Sequence, residues 1–362
     1  MTRFRGTWVE VDLDAIRHNV AALKPVGVEL MAIVKANAYG HGDAAVARAA
    51  IEAGASWLGV ALVEEGVTLR AAGIDAPILV LSECPPGSEA VALAHRLTPT
   101  LASDAGRARL ADTARGAIAV HVKVDTGMHR VGVWPPADAV AFVGRIGTAG
   151  LDVEGLWTHL ARSEEDRRTT SAQLQRFREV ADDVRRAGVE PRYLHAANSG
   201  ALLRHPESHL DLVRPGIAIY GIAPAPGVGT DRGLRPALSW RSTVTAVRRL
   251  AAGERISYGH RYELDRDAWI ATVAVGYADG FPRAASSRAD VCVAGRRCRV
   301  AGNVTMDQLM VDCGDVEPTV GDDVTILGDG GPDAWELAER SGTIAYEVVT
   351  RIGQRVPREV HG

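Results

Sequence analysis

The sequence has no run of apolar residues approaching the ~18 that a membrane span requires, so no membrane partner is expected. It has no Lys/Arg-rich block either: 41 basic residues against 45 acidic ones leave a net charge of -4, which argues against nucleic acid as a partner. Cysteine is scarce. Cys84, Cys292, Cys298 and Cys313 are the four in 362 residues and form no C-x-x-C pair, so they read as reduced packing thiols rather than a disulfide framework, and no metal site is expected. The opening stretch MTRFRGTWVEVDLDAIRHN lacks the apolar core and small-residue cleavage site of an export signal, and the expectation is a soluble cytoplasmic protein. With 46% hydrophobic and 24% charged residues, disordered, collagenous and coiled-coil classes are excluded. At about 100 to 200 residues per domain the length suggests roughly two domains.

Short apolar runs bounded by Gly, Pro or polar residues read as strands. They are MAIVKA from 31, WLGVAL from 57, PILVL from 77, LTPTLA from 97, IAVHVKVD from 118, LDVEGLWTHL from 151, YLHAANS from 193 and LDLVRPGIAIYG from 210. Between most of them lie helical stretches such as DAAVARAAIEAG and TSAQLQRFREVADDVRRAG, the latter with Leu174, Phe177, Val180 and Val184 at helical spacing. Eight βα units in about 200 residues point to a closed TIM (β/α)8 barrel rather than an open doubly wound sheet. The Gly- and Pro-rich segment at 222–236 reads as a linker. Beyond it STVTAVRRL, RISYG, WIATVAVGY, DVCVAG, RRCRVAG, DQLMVDC and DDVTILG form a mostly β unit closed by a helical pattern near 333–353. The expected domains are residues 1–236 and 237–362, with packing of the first ten or so residues against the second domain left open.

In such a barrel chemistry sits at the C-terminal ends of the strands, and strand side chains alternate between interior and helix layer. Met31, Ile33 and Lys35 share one parity. So do His121, Lys123 and Asp125, and so do Trp157 and His159, while Arg214 ends the eighth strand. Ionisable groups converging on one mouth read as a site, because buried charges persist only when paired or used. Singly, each has a plainer reading: Lys35 as a rim lysine, Lys123 with Asp125 as a structural ion pair, His159 as a satisfied core histidine. Together they suggest either Schiff-base chemistry or anion binding. Asn198-Ser199-Gly200 and Arg214-Pro215-Gly216-Ile217 follow strands seven and eight, where barrels commonly hold phosphate through hydroxyl and backbone N–H donors.

The motifs AIVKANAYGHG, KVDTGMHRVG, THLA, HAANSG, RPGIAIYG, ISYGHRY, VGYADGFPR and TMDQ, in this order from Trp8 to Arg358, resemble those of the alanine racemase family. The resemblance implies a TIM barrel followed by a β domain, pyridoxal 5'-phosphate as cofactor, a head-to-tail homodimer with shared sites, and interconversion of L- and D-alanine that supplies peptidoglycan synthesis. It implies that Lys35 is the Schiff-base lysine and that Tyr39, Ser199, Gly216, Ile217 and Tyr346 bind the phosphate. Arg214 resembles the arginine facing the pyridine nitrogen, and His159 the histidine joining it to a second base, Tyr258, contributed by the other subunit. Arg130 resembles a substrate-carboxylate contact, as does the N–H of Met306 contributed by the other subunit, and Lys123 stands where many members carry a carbamylated lysine paired with Arg130. An arginine at the pyridine nitrogen leaves it unprotonated and weakens the electron sink, which favours reprotonation over transamination.

Two positions depart from the family pattern, Asn303 and Thr305 in GNVTMDQ, and His129 in TGMHR occupies a variable slot. They bear on substrate range, so a serine or broad-specificity racemase is the neighbouring reading. A pyridoxal-phosphate homeostasis protein would lack the second domain, and a related decarboxylase would need an acidic residue in place of Arg214 and a glycine triplet for the phosphate.

Overall fold

The computed structural model describes residues 5–362; residues 1–4, where the expected first domain begins, lie outside the described residues. The chain divides into two compact units. One holds the described residues through Asp14 together with Tyr39–Gly42 and Pro236–Gly362, and the other holds Ala15–Ala38 and Asp43–Arg235.

The opening strand, β1 (Thr7–Asp12), belongs to the first of these units. The next eight build the other: β2 (Glu29–Ile33), β3 (Trp57–Val60), β4 (Ile78–Glu83), β5 (Thr98–Leu101), β6 (Ile118–Lys123), β7 (Leu151–Trp157), β8 (Tyr193–His195) and β9 (Leu212–Val213). They form one parallel sheet in the order β8-β7-β6-β5-β4-β3-β2-β9. The sheet closes where Asp211 N–H donates to Leu194 O at 3.1 Å and Arg214 N–H to Ala197 O at 2.9 Å. This is the expected TIM barrel. Its strands are near-continuous apolar runs because both faces are covered, as in β2, where Met31, Ala32 and Ile33 are all buried. The helix Arg167–Arg186 buries Leu174, Phe177, Val180 and Val184, and the Asp166 side chain caps it by accepting from Thr169 N–H. The eighth strand is shorter than its apolar run. Pro215 has no N–H to extend the ladder, and Ile217–Tyr220 winds into a 3-10 turn.

The first unit is organised on the 13-residue strand β10 (Leu238–Leu250), followed by a small hairpin of β11 (Arg255–Ile256) and β12 (Tyr262–Glu263). β13 (Ala268–Val273), β14 (Asp290–Val293), β15 (Arg296–Val300), β16 (Leu309–Asp312) and β17 (Asp323–Leu327) complete a ring, because β13 pairs with both β16 and β10. β1 lies antiparallel to β10, and the final strand, β18 (Arg358–His361), lies parallel to β1. The expected helical pattern near the end becomes two helices, Ala334–Ser341 and Ala345–Thr350.

Candidate active site

β2 ends at Ile33, so Lys35 is not the next inward residue of a strand, as the alternation had suggested. It opens a turn in which Ala36, Asn37, Ala38 and Tyr39 all have φ between 51 and 54°. Left-handed backbone costs a non-glycine residue about 1–2 kcal/mol, so four in succession persist only where the surroundings fix them. The Glu65 carboxylate does part of this, accepting from Ala36 N–H and Ala61 N–H, each at 2.7 Å. Glu65 carried no sequence motif; its position in the first turn of Val63–Ala71 gives it the reach.

Cations gather at the same end of the barrel. Lys123 ends β6, only 4% exposed, with its amine 4.4 Å from the centre of the Trp157 ring. The Arg214 guanidinium lies 4.9 Å from the same ring. Burial lowers the Lys123 pKa to about 8, and the nearby charges of Arg130, Arg214 and Lys35 push in the same direction. Burial also lowers Lys35, helped by Arg130 and opposed by Glu65. Among the described residues neither lysine makes an ion pair. Asp125 does not take that role for Lys123: its Oδ1 accepts from the N–H groups of Gly127, Met128 and His129 at 2.9 to 3.1 Å and shapes the loop that leads to the exposed Arg130. The direct ion-pair reading of Lys123 and Asp125 therefore gives way to a turn anchor whose charge reaches the lysine only at longer range, against the three cations Arg130, Arg214 and Lys35.

Arg214 follows β9 and is buried. Its Nη2 donates to the carbonyls of Thr158 at 2.7 Å and Ala196 at 3.1 Å, and its Nη1 donates to His195 Nδ1 at 2.9 Å. Burial brings this guanidinium down to about 9, which leaves it a cation at neutral pH. The imidazole bonded to Arg214 is thus His195; His159 had been expected there. Because arginine only donates, His195 must carry its proton on Nε2 and donate it to His121 Nδ1 at 2.9 Å. His121 then turns its own Nε2 proton toward Glu154, 3.6 Å away. Burial and Arg214 hold His195 well below the usual histidine range, so it is neutral and its tautomer is fixed. His159 is placed by Gln173 Nε2, which donates to its carbonyl at 3.2 Å. Burial first, then the charges of Arg214, Lys123, Arg130 and Lys35, push its pKa well down. His195 closes a strand of only three residues, Tyr193–His195, too short for alternation to assign it a face from sequence.

After β8, Asn198 caps the helix Ser199–Arg204 by accepting from Ala201 N–H. The Ser199 hydroxyl accepts from Gly216 N–H at 2.9 Å and Ala218 N–H at 3.3 Å. The Ile217 N–H, first in its 3-10 turn, meets no partner among the described residues, as is usual for first-turn donors. Hydroxyl and amides thus form a cradle suited to an anion. A phosphate-bearing aldehyde would find here a cation-rich floor, donors for its phosphate and two lysines with lowered pKa, so the residues present fit pyridoxal phosphate.

The other expected residues lie in the β unit. Tyr39 is buried, its phenol pushed up by burial, with its ring 6.2 Å from that of the half-buried Tyr346. Tyr258 is 74% exposed, and its carbonyl accepts from Asn303 Nδ2 at 2.6 Å. Met306 is 53% exposed; its carbonyl accepts from Ala278 N–H at 2.9 Å, and its N–H meets no partner among the described residues. Gly276 makes this close approach feasible, because a Cβ there would stand 2.4 Å from the Met306 carbonyl.

Residues 11–224 match the family described as alanine racemase, N-terminal domain, and residues 237–360 the one described as alanine racemase, C-terminal domain. An alanine racemase of Symbiobacterium thermophilum is 51% identical, covering 98% of this chain and 97% of the relative. Among solved structures, alanine racemase from D-cycloserine-producing Streptomyces lavendulae superposes with TM-score 0.94 at 42% identity, covering 100% of this chain and 98% of that one. Alanine racemase from Bacillus anthracis with bound L-Ala-P gives TM-score 0.93 at 38% identity, covering 100% of this chain and 96% of the other.

Proposed function

The chain belongs to the alanine racemase family, whose members depend on pyridoxal phosphate, and from that premise we propose that it interconverts L- and D-alanine using Lys35 and Tyr258 as its two proton-carrying groups. The observation that carries this reading is the cluster of Lys35, Lys123, Arg130 and Arg214 at one mouth of the barrel, bordered by the Ser199–Gly216–Ile217 cradle. Pyridoxal phosphate, when bound, acidifies the α C–H of an amino acid joined to it by spreading the resulting negative charge.

Lys35 Nζ removes or returns the proton on one face, and its lowered pKa favours the neutral amine that accepts it. Tyr258 Oη serves the opposite face, delivered by a second subunit; its exposure on the β unit supports that placement. Arg214 keeps its proton and, oriented by Thr158, Ala196 and His195, would offer a fixed positive edge to a bound pyridine ring. Ser199, Gly216 and Ile217 would hold the phosphate, and Tyr39 and Tyr346 would supply phenol donors to it. Arg130 and, from the other subunit, the N–H of Met306 would receive the substrate carboxylate. Lys123, carbamylated, would become an anion that balances Arg130.

The test is racemisation measured separately on alanine, serine, lysine and arginine. Alanine should turn over fastest. A higher kcat/KM for any of the other three would make this a broad-specificity or serine racemase, the direction in which the departures at Asn303 and Thr305 point.

A further inference from the structure

β15 and β16 run antiparallel with Arg299 opposite Asp312 and Val300 opposite Val311. One step further, the same register sets Cys298 opposite Cys313. Ala301 N–H donates to Met310 O at 2.8 Å, which marks that facing pair as hydrogen-bonded. Alternation along the ladder then makes Cys298 and Cys313 a non-hydrogen-bonded pair, the kind whose Cα atoms approach to about 4.5 Å with side chains on one face. That spacing lies within the ~4.4–6.8 Å at which a disulfide closes. Both cysteines line an open cleft with Arg266, Arg296, Arg297 and Arg299, alongside Asp290 and Asp312. Cys298 is half-buried and Cys313 buried, and both are free thiols.

We propose that Cys298 and Cys313 form a peroxide-reactive dithiol that closes reversibly into a cross-strand disulfide tying β15 to β16. The Cys313 thiol is aimed at the Val311 carbonyl, 3.8 Å away; the closeness of the two sulfurs, with Arg296 nearby, lowers the Cys298 pKa and raises that of Cys313. Cys298 is accordingly the attacking thiolate and Cys313 the resolving thiol. In the first step the Cys298 sulfur forms a bond to one peroxide oxygen, the O–O bond breaks and water departs, leaving a sulfenic acid. In the second, the Cys313 sulfur bonds to Cys298, the S–O bond breaks and a second water leaves. Hydrogen peroxide is reduced by two electrons, the two thiols are oxidised, and their protons leave in the waters. Cys292 is excluded as the partner: Val291 stands opposite Cys298, so the Cys292 side chain points to the other face of the sheet.

The experiment counts alkylatable thiols in the purified, cofactor-loaded enzyme before and after a stoichiometric pulse of hydrogen peroxide, reading unfolded samples by mass spectrometry. The four thiols of the reduced chain should fall to two, dithiothreitol should restore four, and a non-reducing digest should join the peptides of Cys298 and Cys313. Cys292→Ser should lose two thiols as the wild type does, whereas Cys313→Ser should lose only one, with Cys298 held as a sulfenic acid that dimedone labels. Retention of four thiols in the wild type, a bridge containing Cys84 or Cys292, or a Cys313→Ser chain that behaves as wild type would overturn the proposal. The wild-type count needs no variant to fold.

Discussion

Two lysines at the barrel mouth share a sign and a neighbourhood but should differ in chemistry. Lys35 rises from a turn held by Glu65, with its pKa lowered mainly by burial. Borohydride treatment of the cofactor-loaded protein should fix a pyridoxyl group on the Lys35 peptide alone, and Lys35→Ala should lose activity by ~1,000-fold or more, the upper range for a positioned acid–base group. A label on the Lys123 peptide would reverse the two assignments. Lys123, with a pKa near 8, has ~300 times the neutral-amine fraction at pH 7 of a lysine at its ordinary 10.5. Only the neutral amine attacks carbon dioxide, so carbamylation should set in as pH rises toward 8 and reverse as acid protonates the amine. Carbon-13 bicarbonate should give a carbamate resonance in the wild type that is absent from Lys123→Ala. A resonance that survives this substitution would place the modification elsewhere.

At the scale of elements, the loops that present Met306 depend on one buried carboxylate. Asp279 accepts from Gly276 N–H at 2.8 Å, from Arg355 Nε at 2.7 Å and from Arg5 Nη2 at 2.6 Å, while Arg355 also reaches Asp307 at 2.7 Å. Burial alone would raise this acid, but the bonds from Arg5, Arg355 and Gly276 outweigh it and hold the pKa below its ordinary value. A depressed folded-state pKa contributes stability that is present above the unfolded value near 4 and lost as pH falls through the folded one. Asp279→Asn should therefore cost about 3 kcal/mol at neutral pH by denaturant unfolding, and the gap from wild type should narrow as pH falls through the depressed folded-state pKa. An unchanged gap at low pH would show that the loss comes from packing. Neither Arg5 nor Arg355 could be tied to Asp279 from the sequence, since the partners lie 274 and 76 positions away. The barrel, by contrast, was legible from strand spacing, because alternating apolar runs and helical stretches admit few closures. Strand ends were not: Lys35 shares parity with Ile33 yet opens a turn whose next four residues, Ala36–Tyr39, are left-handed, which no alternation rule anticipates. His195 was overlooked for a related reason, as a three-residue strand gives too short a pattern to assign a face.

For the whole molecule, the separation of the two proposed bases decides how many chains make one site. Lys35 lies in the barrel unit and Tyr258 in the β unit, and the function proposed above assigns them to different subunits of a two-fold dimer. Lys35→Ala and Tyr258→Phe should each be nearly inactive as homodimers. In a mixed dimer, one site collects both lesions while the other combines an intact lysine from one chain with an intact tyrosine from its partner. Random re-pairing of equal amounts makes half the dimers mixed, so about one quarter of all sites should be whole. Activity after denaturing, mixing and refolding with cofactor should rise to roughly a quarter of a wild-type sample treated the same way, provided the sites act independently. If Lys35 and Tyr258 served the same subunit, each site in the mixture would carry one lesion. Recovery no greater than the summed residual activities of the two parents, with native mass spectrometry confirming that mixed dimers had formed, would then show each subunit to be catalytically self-contained.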